Sequence, residues 1–168
     1  MEYIHSPEEL SLVAKTKVIE NIFFKKFLRS IKSEEVDRLI HKHYTAVQQL
    51  IDCTRCGNCC KKLDPGIESD EIPILAQAAQ IPLQIFLHKH TATDGHARFL
   101  KQKPCLFLKD CKCSIYTQRP KACAGYPHLD QKDMKYKRSL WENYSICPIV
   151  YNVLEQVKKD LNYKGHAA

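Results

Sequence analysis

No run of apolar residues in this 168-residue chain is long enough to span a bilayer, which excludes a membrane-crossing helix as an expectation. The longest candidate, residues 22–28, is interrupted by Lys25 and Lys26. The opening residues carry acids and lack the basic start and apolar run of a secretion signal. No internal repeat, low-complexity tract or long linker divides the chain, so a single domain is expected over 1–168. Glycine is sparse, at five residues, and no glycine-rich nucleotide loop is present. Outside residues 53–60 there is no further Cys-x-x-Cys pair, which counts against an ordinary two-knuckle zinc ribbon. An odd total of nine cysteines fits badly with a closed disulfide set. These absences together place the chain, as an expectation, in a reducing cytoplasm with no membrane partner.

What is present is sulfur. Cys53, Cys56, Cys59 and Cys60 fall within Cys53-Thr54-Arg55-Cys56-Gly57-Asn58-Cys59-Cys60. Thiolate is a soft ligand for zinc, iron–sulfur clusters and cuprous ion. Two residues between sulfurs let both reach one metal, and Gly57 can adopt the left-handed backbone that turns its N–H toward a thiolate. A second group, Cys105, Cys111, Cys113 and Cys123, is scattered, and Cys147 stands before Pro148. The competing readings are a redox dithiol and small buried apolar residues. The formal charge of +7 counts every thiol as neutral, so part of the basic balance would offset a thiolate-rich site.

Around this centre the patterning is helical. Ser6-Pro7-Glu8-Glu9 predicts a helix start with Ser6 as N-cap, and Leu10, Val13, Ala14, Val18, Ile22 and Phe23 follow near helical spacing. Ser33-Glu34-Glu35 starts a second helix whose stripe is Val36, Leu39, Ile40, His43, Tyr44, Val47, Leu50 and Ile51, running into Cys53. Residues 70–80 and a short segment after Pro82 are predicted helical, and 96–100 and 104–108 are short strands or extended loop. Residues 109–147 lack periodicity. Cys147-Pro148 opens a last helix, with Lys158 and Lys159 at its negative end and a frayed tail from Gly165. The fold class expected is mainly α: helices at both termini (1–51 and 149–168) framing an irregular cysteine core at 52–148, with at most short strands.

Among the remaining residues, His43 reads as a hydrogen-bonded core histidine, and Tyr116 and Trp141 as packing residues. Arg119 is balanced between bonding sulfur or a carbonyl and a surface ion pair. The basic run at 132–138 reads as a solvated loop in preference to a nucleic-acid contact, and a protein partner stays open.

Cys53-x-x-Cys56-Gly57-x-Cys59-Cys60, Pro104-Cys105-x-Phe107-Leu108, Cys113-Ser114-Ile115-Tyr116, Arg119-Pro120, Cys123 and Tyr126-Pro127 occur in this order. The array resembles the CxxCxxCC or YkgJ-type cysteine cluster family of zinc- or iron-chelating domains, over about residues 50–150. The resemblance implies metal ligation by Cys53, Cys56, Cys59, Cys60, Cys105, Cys113 and Cys123. Cys147 is added as an eighth ligand and Cys111 is left as supernumerary. The cofactor expected is an iron–sulfur cluster, with zinc beside it. Two other functions follow by resemblance or by chemistry: cluster-dependent protein lysine methyl transfer, as in flagellin lysine methylases, and a metal chaperone or storage module.

Overall fold

The computed structural model describes residues 3–165. In chain order its helices are α1 (Pro7–Thr16), α2 (Val18–Leu28), α3 (Ser33–Val47), α4 (Cys53–Cys56), α5 (Asn58–Lys62), α6 (Glu71–Ala78), α7 (Leu83–His90), α8 (Lys121–Ala124), α9 (Arg138–Glu142) and α10 (Pro148–Asp160). The strands are β1 (Gly66–Ile67), β2 (Thr91–Thr93), β3 (Arg98–Leu100), β4 (Leu108–Lys109) and β5 (Lys112–Cys113). The protein is mainly α, as the sequence predicts. The chain divides into two compact units, residues 3–52 with 127–165 and Cys53–Tyr126.

The first unit is built on the pairing of α3 with α10. Val36, Leu39, Ile40 and Val47 of α3 and Ile149, Val150, Val153, Leu154 and Val157 of α10 are buried. Both stripes follow the helical period, so burying them against each other is the dominant stabilising term. Ser6 caps α1 as expected, its Oγ accepting from the backbone N–H of Glu8 and Glu9 at 3.1 and 3.3 Å. One continuous N-terminal helix does not form. The chain breaks at Lys17, and the break rotates the buried face, so that Phe24 and Leu28 turn inward while Val18 and Ile22 face solvent. Leu50 is likewise exposed, because α3 ends at Val47.

Polar groups pin this unit across long sequence distances. The Asn152 amide accepts from Ile4 N–H at 3.1 Å and donates to the Ile4 carbonyl at 2.7 Å. The Asp37 carboxylate accepts from the N–H groups of Asp133 and Met134 at 2.7 and 2.9 Å, which satisfies the turn that opens the 3-10 segment Met134–Tyr136. The basic run is therefore not all solvated loop: Met134 and Lys135 are buried, and Lys135 Nζ donates to the Ile31 carbonyl. Lys158, in the last turn of α10 as predicted, is buried and paired with Glu155 at 2.6 Å and Glu20 at 2.7 Å. His43 is hydrogen-bonded as expected, its Nε2 2.9 Å from Asp160, but it is partly buried and not a core residue. Trp141 packs edge-on to Phe24 with ring centroids 6.2 Å apart. Of the expected C-terminal tail, residues 166–168 lie outside the described residues.

The second unit carries little regular structure. β1, β3 and β2 form an antiparallel sheet in that order, with Gly66 opposite Phe99 and Ala92 opposite Phe99 on the other side. β4 and β5 form a hairpin, Leu108 opposite Cys113 and Lys109 opposite Lys112. Its two turn residues, Asp110 and Cys111, both have positive φ, as the favoured two-residue hairpin turn requires. A small apolar cluster of Ile67, Ile72, Leu75, Ala76, Phe86, Leu100, Phe107 and Ile115 forms the centre, with Cys105 and Cys113 packed at its edge.

Candidate metal centre

Seven of the eight expected ligands lie in the second unit: Cys53, Cys56, Cys59, Cys60, Cys105, Cys113 and Cys123. The first four sit on two short helices. α4 carries Cys53 and Cys56, and Gly57 (φ +61°) reverses the chain into α5, which carries Cys59 and Cys60. The left-handed glycine is thus as the sequence predicts. Its N–H, however, donates to the Cys53 carbonyl at 3.4 Å and not to sulfur. A Cβ at Gly57 would lie 3.1 Å from both Cα and the carbonyl oxygen of Cys111, so the knuckle packs directly on the β4–β5 turn. That hairpin delivers Cys113, and α4 contacts β5.

Backbone bonds fix the other segments to the same place. Cys105 N–H donates to the Cys60 carbonyl at 2.8 Å, and Leu63 N–H to the Cys59 carbonyl at 2.8 Å. Glu71 ties the entry of α8 to the loop after β1. Its carboxylate accepts from Glu68 N–H and Lys121 N–H, each at 2.7 Å, and the Lys121 side chain is paired with Glu68. α8 then presents Cys123.

The sulfurs influence one another. Cys59 Sγ and Cys60 Sγ are 4.0 Å apart. That hydrogen bond outweighs partial burial and brings the Cys60 thiol down to about 7. Burial pushes the thiols of Cys105 and Cys113 up, and negative charge on Cys60 raises both further. Cys123 is pushed up to about 12, by burial first and then by Cys60, Cys105 and Cys113. Arg119 opposes this at Cys113 and Cys123 as the nearby cation. Its Nη1 donates to the Tyr116 carbonyl at 2.6 Å, and its guanidinium lies 3.6 Å from the Tyr116 ring centroid. Of the two readings of Arg119, a hydrogen bond to a carbonyl is the one observed. Tyr116 is half exposed under that cation and is not a core residue.

Cys147 lies in the other unit, buried at the residue before Pro148 and α10. Cys111, in the hairpin turn, accepts from Lys61 Nζ at 3.5 Å. No disulfide joins any of the nine cysteines, all of which are among the described residues. Among those residues, no three Cys, His, Asp or Glu side chains stand at metal-ligand spacing. The donor set fits zinc or an iron–sulfur cluster in chemistry and in its collection on one unit, and the side-chain spacing is wider than coordination requires.

Sequence patterning gave no sign of Lys61, Glu71 or a cleft of about 670 Å³ lined by Glu68, Glu71, His96 and Arg98. These residues have no motif, and only the fold brings them together. No curated protein and no solved structure matches the chain. A model of the CxxCxxCC family, described as "Putative zinc- or iron-chelating domain", matches residues 52–147, more than half of the chain, and the chain belongs to that family.

Proposed function

We propose that the protein holds an iron–sulfur cluster or zinc through the thiolates of Cys53, Cys56, Cys59, Cys60, Cys105, Cys113 and Cys123. Cys147 stays in the proposal as an eighth ligand on its Cys-Pro sequence context alone. The observation that carries the reading is the meeting of four sequence segments in one unit, close enough that Cys105, Cys113 and Cys123 each feel the charge of Cys60. Such a set cannot all ionise without cationic charge among it, and Arg119 supplies only one positive charge. When bound, the metal supplies that charge and cross-links the segments. The chain's own part is to hold the donors. The Cys59–Cys60 contact keeps one thiol ready to ionise near neutral pH, the apolar edge at Cys105 and Cys113 excludes water, and Arg119 offsets residual negative charge.

The run Cys-x-x-Cys-x-x-Cys favours the iron–sulfur cluster over zinc. Vicinal thiols such as Cys59 and Cys60 oxidise readily, which favours a reducing cytoplasm as the working compartment. Purification without oxygen, with elemental analysis and a visible spectrum, tests the proposal. Brown protein with acid-labile sulfide identifies iron; colourless protein with stoichiometric zinc identifies zinc. Folded protein free of both metals overturns the reading. Cys56→Ser should abolish loading, whereas Cys111→Ser, which alters a turn residue bonded to Lys61, should leave metal content essentially unchanged.

A further inference from the structure

Arg98 occupies a sheet position where an apolar side chain is ordinary. It lies opposite Ile67 of β1 and Thr93 of β2, two residues before Leu100 on its own strand. Directly opposed and alternate residues share one face of a sheet, so Arg98 is on the face that carries the core residues Ile67 and Leu100. A polar residue at such a position asks for a function. Arg98 and Ile67 both line the cleft of about 670 Å³, together with Glu68 and Glu71. The guanidinium is held there but not neutralised. Its Nη1 donates to Thr91 Oγ1 at 2.7 Å, and that buried hydroxyl donates to the Leu87 carbonyl at 2.7 Å, which anchors the group to the last turn of α7. Among the described residues no carboxylate stands at ion-pair distance from Arg98. The two acids of the cleft are engaged elsewhere: both Glu71 oxygens accept backbone N–H groups, and Glu68 pairs with Lys121 through Oε2. A partly buried guanidinium, fixed in place with most of its N–H donors unused, is a receptor for an oxyanion.

Charge balance selects the oxyanion. The formal charges of Glu68 and Glu71 cancel those of Arg98 and Lys121. A phosphate ester or nucleic-acid backbone would bring negative charge toward two carboxylates with no surplus cation to answer it. A ligand with one carboxylate for Arg98 and one ammonium for Glu68 is matched at both ends. We propose that this cleft binds a free α-amino acid, its carboxylate on Arg98 and its ammonium on Glu68. The hydroxyls of Ser69 and Thr93 lie in the same lining as further hydrogen-bonding groups, and Ala97 and Ala122 present only methyl groups, which leaves volume for the ligand's side chain. The proposal does not depend on which metal the cysteines hold.

Equilibrium dialysis of the full chain, purified without oxygen, against each of the twenty radiolabelled amino acids tests it. At least one should bind with a Kd below about 1 mM. Butyrate, butylamine and inorganic phosphate, each added as competitor, should displace it about tenfold less well than the unlabelled amino acid, because each satisfies one end of the cleft only. Arg98→Gln should weaken binding about tenfold or more, with the amide spectrum confirming a folded chain. Glu68→Gln, at an exposed position that the core does not use, should do the same through the ammonium end. No binding by any of the twenty overturns the proposal. So does phosphate, butyrate or butylamine competing as well as the amino acid, or a Kd that neither substitution moves.

Discussion

At the scale of single residues, Gly57 is the most constrained position of the candidate centre. Its φ of +61° costs any L side chain about 1 kcal/mol, and a Cβ would press at 3.1 Å on backbone atoms that cannot swing away. Gly57→Ala is expected to destabilise the protein by roughly 2 kcal/mol, read as a lower urea midpoint with unchanged slope. This conformation was legible in the sequence, because Cys-x-x-Cys-Gly demands a reversal there. The companion packing of Gly57 on Cys111 was not, because it joins segments with no shared pattern. A second residue-scale prediction concerns Glu20. Burial pushes its carboxyl up, but hydrogen bonds from Lys158 and Lys17 outweigh this and hold it below the ordinary 4.5. The stabilisation is therefore complete above that value and is lost as pH falls through the lower folded one. Lys17, held above its ordinary 10.5 chiefly by the bond to Glu20, loses its share only as pH rises past that higher value. Glu20→Gln should flatten the acid limb of urea stability measured between about pH 3 and 6, and a limb as steep as the parent's would show that other carboxylates set it.

At the scale of elements, α3 and α10 are the frame, and both were legible because each sustains a 3.6-residue stripe over three turns or more. Ile40→Ala, at a fully buried position of that pair, should cost about 2–5 kcal/mol by equilibrium unfolding. The break at Lys17 was not legible. No proline or glycine marks it, and the groups at the break find partners far along the chain: Lys17 faces Glu155 and Glu20 faces Lys158. The same holds between 109 and 147, where the structure has α8, α9 and 3-10 turns of three to five residues. Segments that short cannot show a period, and their ends are satisfied from afar, as Asp37 does for Asp133 and Met134. Lys158 stands in the last turn of α10 as predicted, but its burial was not legible: besides Glu155 on the same helix, it pairs with Glu20, 138 residues away, and only the fold brings that partner to it.

At the scale of the molecule, the two units differ in what holds them. Residues 3–52 with 127–165 contain long helices and a broad apolar core. Cys53–Tyr126 contains strands of two or three residues, helices of at most eight, and one small apolar cluster. Elements that short are marginal alone, and a cluster of that size supplies little beyond the entropy it must overcome. Sulfur–metal bonds joining Cys53–Cys60 to Cys105, Cys113 and Cys123 would close loops of several dozen residues and supply the missing stabilisation. Stripping the metal from protein purified without oxygen, with a chelator and reductant, should therefore act on one unit. Amide hydrogen exchange should accelerate across residues 53–126 by about a hundredfold or more, while α3 and α10 keep their protection. If exchange in 53–126 is unchanged on stripping, the apolar cluster alone supports that unit, and the thiols are a cargo site carried by an already stable fold.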